Sequence, residues 1–182
     1  DVSSSLQEME KFISAANTCN IKISILLHLT PGESSSDAED RIRTLKSNFT
    51  QIRVGVSAVE VDQISDTVLG LVDIVQVPIN PLDQRFANRL KDFGRDDFLI
   101  QARSVFLQGS LIDDVNETRQ FKGYRSIKKL IADKCDRLNM NPITYCFSSV
   151  NFQIGNFSSI QYVVGAVNHQ EINDLVKFCN EA

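Results

Sequence analysis

The 182-residue chain has no tryptophan and only two histidines and four prolines, and none of its apolar runs approaches the roughly 20 residues of a membrane span. Lys and Arg are scattered rather than gathered into a basic stripe, and the formal net charge is −4 at pH 7. These absences argue against membrane insertion and against nucleic-acid binding. The remaining composition, with 42% hydrophobic and 23% charged residues, is typical of a globular domain.

Several motifs with known chemistry are also missing. No C-x-x-C pair occurs among the four widely spaced cysteines, Cys19, Cys135, Cys146 and Cys179, so neither a zinc site nor a disulfide framework is predicted, and a reducing cytoplasm is favoured. The acidic pairs Asp96-Asp97 and Asp113-Asp114 have no further ligands spaced to join them, so no metal site is predicted. Neither G-x-G-x-x-G nor the P-loop pattern is present.

Short β-branched runs alternate with longer stretches whose apolar residues have helical spacing. The runs predict buried strands at residues 21–27, 52–56, 72–77, 98–102 and 160–164. A first helix with Leu6, Met9 and Phe12 on one face precedes them, and further helices are predicted at 37–48, 59–69, 83–93, 126–138, 142–151 and 169–179. This alternation predicts an α/β fold with a parallel sheet, either open and doubly wound or part of an eight-stranded barrel.

Five segments, in chain order, resemble strands four to eight of the aldo/keto reductases. They are Ile23-Ser-Ile-Leu-Leu-His28, Arg53-Val-Gly-Val-Ser57, Val72-Asp-Ile-Val-Gln-Val-Pro-Ile-Asn80, Ala102-Arg-Ser-Val-Phe-Leu-Gln-Gly109 and Val163-Val-Gly-Ala-Val-Asn168. The resemblance covers nearly the whole chain. It implies that residues 1–182 are part of one (β/α)8 TIM-barrel domain, about five βα units, with the N-terminal units absent.

The resemblance implies an NAD(P)(H)-dependent oxidoreductase that acts on a small-molecule carbonyl or alcohol, with NADP(H) or NAD(H) as the cofactor. In this family a tyrosine with a neighbouring lysine and aspartate supplies the proton, and a histidine orients and polarises the carbonyl. Of these four catalytic positions, the chain contains a counterpart only for the histidine, His28. We therefore expect the intact protein to be a reductase and the chain as given to be inactive alone.

The resemblance also implies contacts with the cofactor. Ser57 and Gln76 match positions beside the nicotinamide carboxamide, and Arg103 matches the position that stacks on the nicotinamide ring. The loop that would follow the pyrophosphate contains Ser104, Phe106, Gln108 and Gly109. The residues expected near a phosphate at the start of the last helix are Gly165, Ala166 and Asn168.

The residues themselves leave other roles open. Gln76 can bond a polar group on a neighbouring strand, Arg103 can form an ion pair at its strand end, and Asn168 can cap the last helix. Glu171 and Leu175 stand where the family commonly has a basic residue and an asparagine for the adenosine end of the cofactor. Because a carboxylate repels a 2′-phosphate, a preference for NADPH does not follow.

Two further hypotheses compete with the reductase. One is a non-catalytic, degenerate barrel that binds a nucleotide or a protein partner, because a fold alone does not determine chemistry. The other is a half-barrel that self-associates through the two open edges of its sheet. In a barrel of this type the substrate is expected to be selected largely by the loops, which here are residues 30–37, 81–86 and 110–124.

Overall fold

The computed structural model describes residues 2–95, 97–112, 124–166 and 168–181. Within these ranges strands and helices alternate along most of the chain. The strands are β1 (Ser24–His28), β2 (Arg53–Ser57), β3 (Ile74–Pro78), β4 (Leu99–Arg103) and β5 (Ile160–Val163). The helices are α1 (Val2–Thr18), α2 (Ser35–Asn48), α3 (Asp66–Leu71), α4 (Arg85–Phe93), α5 (Tyr124–Leu138), α6 (Pro142–Ile154) and α7 (His169–Glu181).

The described strands form one parallel sheet in the order β1-β2-β3-β4-β5, which confirms the predicted α/β class and the strand positions. Neighbours in sequence are neighbours in the sheet throughout. Because each crossover advances by one strand in the same direction, helices accumulate on one face of the sheet, as they do in a barrel rather than in a doubly wound sheet. All five carboxyl ends consequently lie at the same edge.

The hydrophobic core lies between the sheet and these helices. Strand residues such as Val56, Val75 and Ile100 are fully buried there, together with helix residues such as Ile42 and Leu90. Alternate strand residues point to the opposite face, because successive side chains of a strand alternate in direction. On that opposite face an apolar row is followed, toward the carboxyl edge, by a polar one.

Capping residues explain where several helices begin. The side chain of Ser34 accepts a hydrogen bond from the backbone N–H of Asp37 at 3.1 Å, so α2 begins after it. Asn141 does the same for α6 by accepting from the N–H of Thr144 at 2.8 Å, with Pro142 in the first helical position. These local signals account for the agreement between predicted and observed helix starts.

The prediction of one helix over residues 59–69 is wrong. The structure has a 3-10 turn at Val61–Gln63, and α3 begins only at Asp66. The side chain of Gln63 accepts hydrogen bonds from the backbone of Val59 and Glu60, and Ser65 caps α3 by accepting from the N–H of Val68 at 3.2 Å. Two capping interactions therefore interrupt a stretch whose apolar spacing alone is helical.

Some predicted features fall outside the described residues. They are Asp96, the pair Asp113-Asp114 and most of the loop at residues 110–124. In the part of the chain that is described, no helix is both long and apolar enough to cross a membrane.

Candidate functional site

A row of polar side chains crosses the face of the sheet that is turned away from the core. The register pairs His28 with Ser57, Ser57 with Gln76, Gln76 with Gln101 and Gln101 with Gln161, so each strand contributes one residue at the same level. Because paired residues of parallel strands point to the same side, all five side chains share this face. We call these five residues the polar ladder.

Hydrogen bonds connect every neighbouring pair of the ladder. His28 Nδ1 lies 3.4 Å from Ser57 Oγ, and Ser57 Oγ donates to Gln76 Oε1 at 2.9 Å. Gln76 Nε2 donates to Gln101 Oε1 at 3.0 Å, and Gln101 Nε2 donates to Gln161 Oε1 at 3.1 Å. The alternative partner that the sequence left open for Gln76, a polar group on the next strand, is therefore present.

Burial within the ladder varies along its length. Ser57 is only 5% exposed, Gln76 and Gln101 are half-buried, and the two end residues, His28 and Gln161, are exposed. The hydrogen bonds satisfy amides that would otherwise be partly desolvated without partners. His28 is the last residue of β1, as predicted, so its ring lies at the carboxyl edge of the sheet.

Arg103 lies one level closer to the carboxyl edge than the ladder, on the same face, in register with Pro78 and Val163. Its Nη2 donates to the backbone carbonyl of Ala58 at 2.8 Å, so the side chain crosses the end of β3 to reach the end of β2. Its Nη1 lies 3.4 Å from Ser104 Oγ. Burial lowers the pKa of the Arg103 guanidinium from its ordinary value.

Within the described residues, the charge of Arg103 has no carboxylate to balance it. Among the described residues no carboxylate lies within salt-bridge distance of it, so the strand-end ion pair considered from the sequence is not formed there. Its Nε atom is buried and has no hydrogen-bond partner in this part of the chain. A half-buried cation with an unused donor at the carboxyl edge favours an anionic ligand.

The loop after Arg103 has an unusual backbone. Ser104, Leu107 and Gln108 have φ values of 58°, 48° and 57°, and Gly109 has a φ of 84°. Left-handed conformations cost L-residues free energy, and only glycine adopts them freely. Three consecutive left-handed residues ending at Gly109 make a compact turn, closed by a hydrogen bond from the N–H of Ser110 to the carbonyl of Leu107 at 3.1 Å.

A cavity of about 370 Å³ lies between this loop and the starts of α6 and α7. Two residues predicted to contact a cofactor, Phe106 and Gly165, line it, and so do Glu171 and Leu175. The ladder does not line this cavity. The predicted site residues thus form two groups at the carboxyl edge: His28, Ser57, Gln76 and Arg103 near the ladder, and Phe106 and Gly165 at the cavity.

The other predicted residues are placed as follows. Asn168 caps α7, since its Oδ1 accepts from the N–H of Glu171 at 2.9 Å while its Nδ2 donates to the Glu171 carboxylate at 2.7 Å. Ala166 is exposed just before this cap, and Gln108 is exposed on the loop that follows β4. Within the described residues, no three His, Cys, Asp or Glu side chains come together as metal ligands.

Sequence reasoning missed Gln101 and Gln161. Each is the polar residue within a short β-branched strand, which is the same signal that singled out Gln76. The pattern of one polar residue per strand becomes a ladder only when the register is known, and register is not encoded locally. A search for one polar residue in every predicted strand would have found the set.

The fold is similar to solved structures of aldo-keto reductases. A glycerol dehydrogenase from Gluconobacter oxydans aligns with a TM-score of 0.56 at 11% sequence identity, covering 95% of this chain and 63% of that one. An aldo-keto reductase from Bacillus halodurans aligns with a TM-score of 0.59 at 14% identity, covering 94% of this chain and 61% of that one. The predicted partial (β/α)8 fold is therefore confirmed.

The chain spans less than two thirds of the length of either structure. No family sequence model and no curated protein sequence matches it. At identities of 11% and 14%, the similarity concerns the arrangement of the backbone, whereas the chemistry depends on the side chains of this chain.

Proposed function

We propose that this chain belongs to an aldo/keto reductase-like, NAD(P)(H)-dependent oxidoreductase, and that its contribution is to bind the dinucleotide and to orient a carbonyl or alcohol. The observation that carries the proposal is Arg103, a half-buried cation without a carboxylate partner among the described residues, at the edge of the sheet where barrels bind ligands. Its charge and its unused Nε donor fit a phosphate or another anionic group.

The residues around Arg103 also fit the other parts of a dinucleotide. The amides of the ladder offer both donors and acceptors, as recognition of a carboxamide requires, and Gln76 and Ser57 are hydrogen-bonded members of this row. The left-handed turn ending at Gly109 brings backbone close to the cavity, where Phe106 supplies an apolar wall. Gly165 also lines the cavity, and because it has no side chain, a ligand can approach its backbone closely.

When bound, a nicotinamide dinucleotide would supply or accept the hydride. The role of the chain's own residues is then to hold the dinucleotide, to orient the substrate and to exclude water. His28 has one ring nitrogen engaged with Ser57 and the other available to a substrate oxygen. A second proton-transfer group is needed for turnover, so the chain by itself is expected to bind the cofactor without rapid catalysis.

Calorimetric titration of NADH and NADPH into the chain tests this proposal. We expect saturable binding, which Arg103→Ala weakens about tenfold or more, because a charge-assisted hydrogen bond contributes about 1.5–3 kcal/mol. Arg53→Ala is the matched control, since Arg53 is exposed at the opposite end of β2 and bonds the backbone carbonyl of Asp73 at 3.1 Å. Equal loss in both variants, or no binding by the unmodified chain, would contradict the proposal.

The hypothesis of a half-barrel that self-associates is favoured by one specific observation. Large apolar side chains are exposed in the segments that adjoin both edge strands in the sequence: Phe12 and Ile21 precede β1, and Val164, Ile172 and Val176 follow β5. In a closed barrel a neighbouring βα unit would cover such positions. Unpaired strand edges also offer free backbone groups to another chain.

Sedimentation equilibrium over a wide range of protein concentration tests this second function. Self-association predicts a mass that rises with concentration and returns to that of the monomer in Ile172→Lys, which places a charge on the exposed face of α7. Asp40→Lys, at an exposed position of α2, is the control and should leave the mass unchanged. A constant monomeric mass would rule out association of this kind.

A further inference from the structure

From Ser57 onward, each residue of the ladder donates a hydrogen bond to its neighbour on the next strand, in the direction from β2 to β5. Ser57 has a single hydroxyl proton, which it donates to Gln76 Oε1 at 2.9 Å. The contact of 3.4 Å between Ser57 Oγ and His28 Nδ1 can then be a hydrogen bond only if Nδ1 carries a proton and donates it. With the glutamine amides oriented in this way, the neutral imidazole of His28 forms the hydrogen bond only as the Nδ1–H tautomer, with Nε2 as an acceptor.

The opposite direction is also chemically possible. A glutamine amide exchanges the places of its oxygen and its nitrogen when it rotates by half a turn about its last side-chain bond. If Gln161, Gln101 and Gln76 all rotate, Gln76 Nε2 donates to Ser57 and the Ser57 hydroxyl donates to His28 Nδ1. The neutral ring then carries its proton on Nε2.

The amides of the ladder are expected to rotate together. If one amide alone is reversed, its oxygen faces the oxygen of one neighbour, and its N–H group faces the N–H group of the other neighbour. Neither contact is then a hydrogen bond. Gln76 and Gln101 are half-buried, so an amide group left without a partner there is poorly compensated by water. The two consistent directions are therefore the two stable states of the whole row.

We propose that Gln101 and Gln161 are positioning residues that select the protonated nitrogen of His28 by acting through the ladder. Neither residue touches the ring, and Gln161 lies four strands away on β5. Four strand spacings amount to roughly 19 Å, at about 4.8 Å for each spacing. The effect of Gln161 is thus carried by the sequence of hydrogen bonds rather than by direct contact.

The direction of the ladder would determine which substrate oxygen His28 can bind, and this consequence rests on the proposed oxidoreductase function. With the proton on Nδ1, as in the structure, Nε2 accepts a hydrogen bond and suits the hydroxyl of an alcohol. With the proton on Nε2, the ring donates and suits a carbonyl oxygen. The tautomer itself belongs to the protein alone and does not depend on that function.

Nitrogen-15 NMR of the histidine rings in the cofactor-free chain tests the proposal. The chain has two histidines, and the exposed His169 at the start of α7 serves as the internal reference. At a pH high enough that the ring resonances no longer move, the unmodified protein should show His28 Nδ1 protonated and Nε2 unprotonated. His169→Gln assigns the two sets of signals.

Substitutions at the far end of the ladder should switch the tautomer in opposite senses. Gln161→Glu introduces a side chain that only accepts, so Gln101 must donate to it and the Nδ1–H form of His28 is retained. Gln161→Lys introduces a side chain that only donates, so the row reverses and the Nε2–H form becomes dominant. Because Gln161 is exposed on an edge strand, both variants are expected to fold.

Val163→Glu and Val163→Lys are the matched controls. Val163 lies on the same strand and the same face, one level beyond the ladder, so these variants place the same charges without entering the row. Over roughly 19 Å such charges are screened at physiological salt, where the Debye length is about 8 Å. The proposal is overturned if both Gln161 variants keep the same tautomer, or if Val163→Lys changes it as much as Gln161→Lys.

Discussion

The substitution Gly55→Ala tests whether the backbones of β2 and β3 approach each other as closely as the hydrogen bonds of the ladder require. It lies two residues before Ser57 on the same face of the sheet. A Cβ atom at Gly55 would lie 2.4 Å from the backbone oxygen of Ile74, 2.6 Å from Ile74 Cβ and 2.7 Å from Leu26 Cδ2. The nearest of these atoms belongs to the backbone of the paired strand, so Gly55→Ala must separate the two strands.

The magnitude follows from two opposing effects. Overpacking costs up to about 3 kcal/mol, whereas replacing a glycine within a strand by alanine recovers about 0.5–1 kcal/mol. The net loss is about 2 kcal/mol, which lowers the urea midpoint by about 1 M if the slope is about 2 kcal/mol per M. Because the chain has no tryptophan, unfolding is best followed by far-ultraviolet circular dichroism.

Gly70→Ala is the control for Gly55→Ala. Gly70 lies in α3, and apart from its chain neighbours and the backbone of its own helix no described atom lies within 4 Å of the position that its Cβ would occupy. Alanine is the better helix former there by about 0.8–1.0 kcal/mol, so the midpoint should rise. If Gly55→Ala also raised the midpoint, or left it unchanged, the close approach of β2 and β3 at this level would be refuted.

Three further outcomes are expected. Burial raises the pKa of Cys146 to about 12 and also raises that of Cys135, so at pH 8 only about one Cys146 in 10⁴ is a thiolate. A disulfide reagent should therefore modify these two cysteines only after denaturation. Rapid reaction of all four thiols of the folded chain would contradict this. The backbone N–H of Thr30 is the main cause that lowers the Glu33 pKa, so this carboxylate stabilises the fold above its unfolded pKa of about 4.3 and the contribution is lost as the pH falls through the folded value. Glu33→Gln should accordingly flatten the pH dependence of the urea midpoint below about pH 5, and an unchanged acid limb would be inconsistent with the hydrogen bond. Finally, Glu171 is one of the residues that line the cavity, and its carboxylate accepts a hydrogen bond from Asn168 Nδ2. NADH should bind more tightly than NADPH, because a carboxylate repels the 2′-phosphate, and Glu171→Gln, which can still accept from Asn168, should narrow the difference in affinity. Calorimetry that gives NADPH the higher affinity in the unmodified chain would refute this.

The strands could be predicted from the sequence because their signal is local. Buried parallel strands are continuous β-branched runs, and each one here is flanked by polar residues or a cap. The position of His28 at the end of β1 and the capping role open to Asn168 follow from the same local patterns. Residues 59–69 were an exception, since the side chain of Gln63 and the cap at Ser65 compete with their helical spacing.

The arrangement of the candidate site could be predicted only in part. Gln76 stands out in sequence as a polar residue in an apolar strand, but its partners are 19 residues earlier and 25 residues later in the chain. Those contacts depend on the register of β2, β3 and β4, which no local pattern specifies. The same holds for Arg103, whose reach to the carbonyl of Ala58 becomes evident only when the strand ends are placed side by side.

The NADH-binding surface can be mapped by following amide resonances of the nitrogen-15-labelled chain during a titration. We expect shifts of the side-chain amides of Gln76 and Gln101 and of the backbone amide of Gly165, while Gly94, which ends α4 on the helical side, stays unchanged. Shifts confined to the helical side, or none at the highest soluble concentration of NADH, would contradict the assignment of this edge of the sheet as a dinucleotide site.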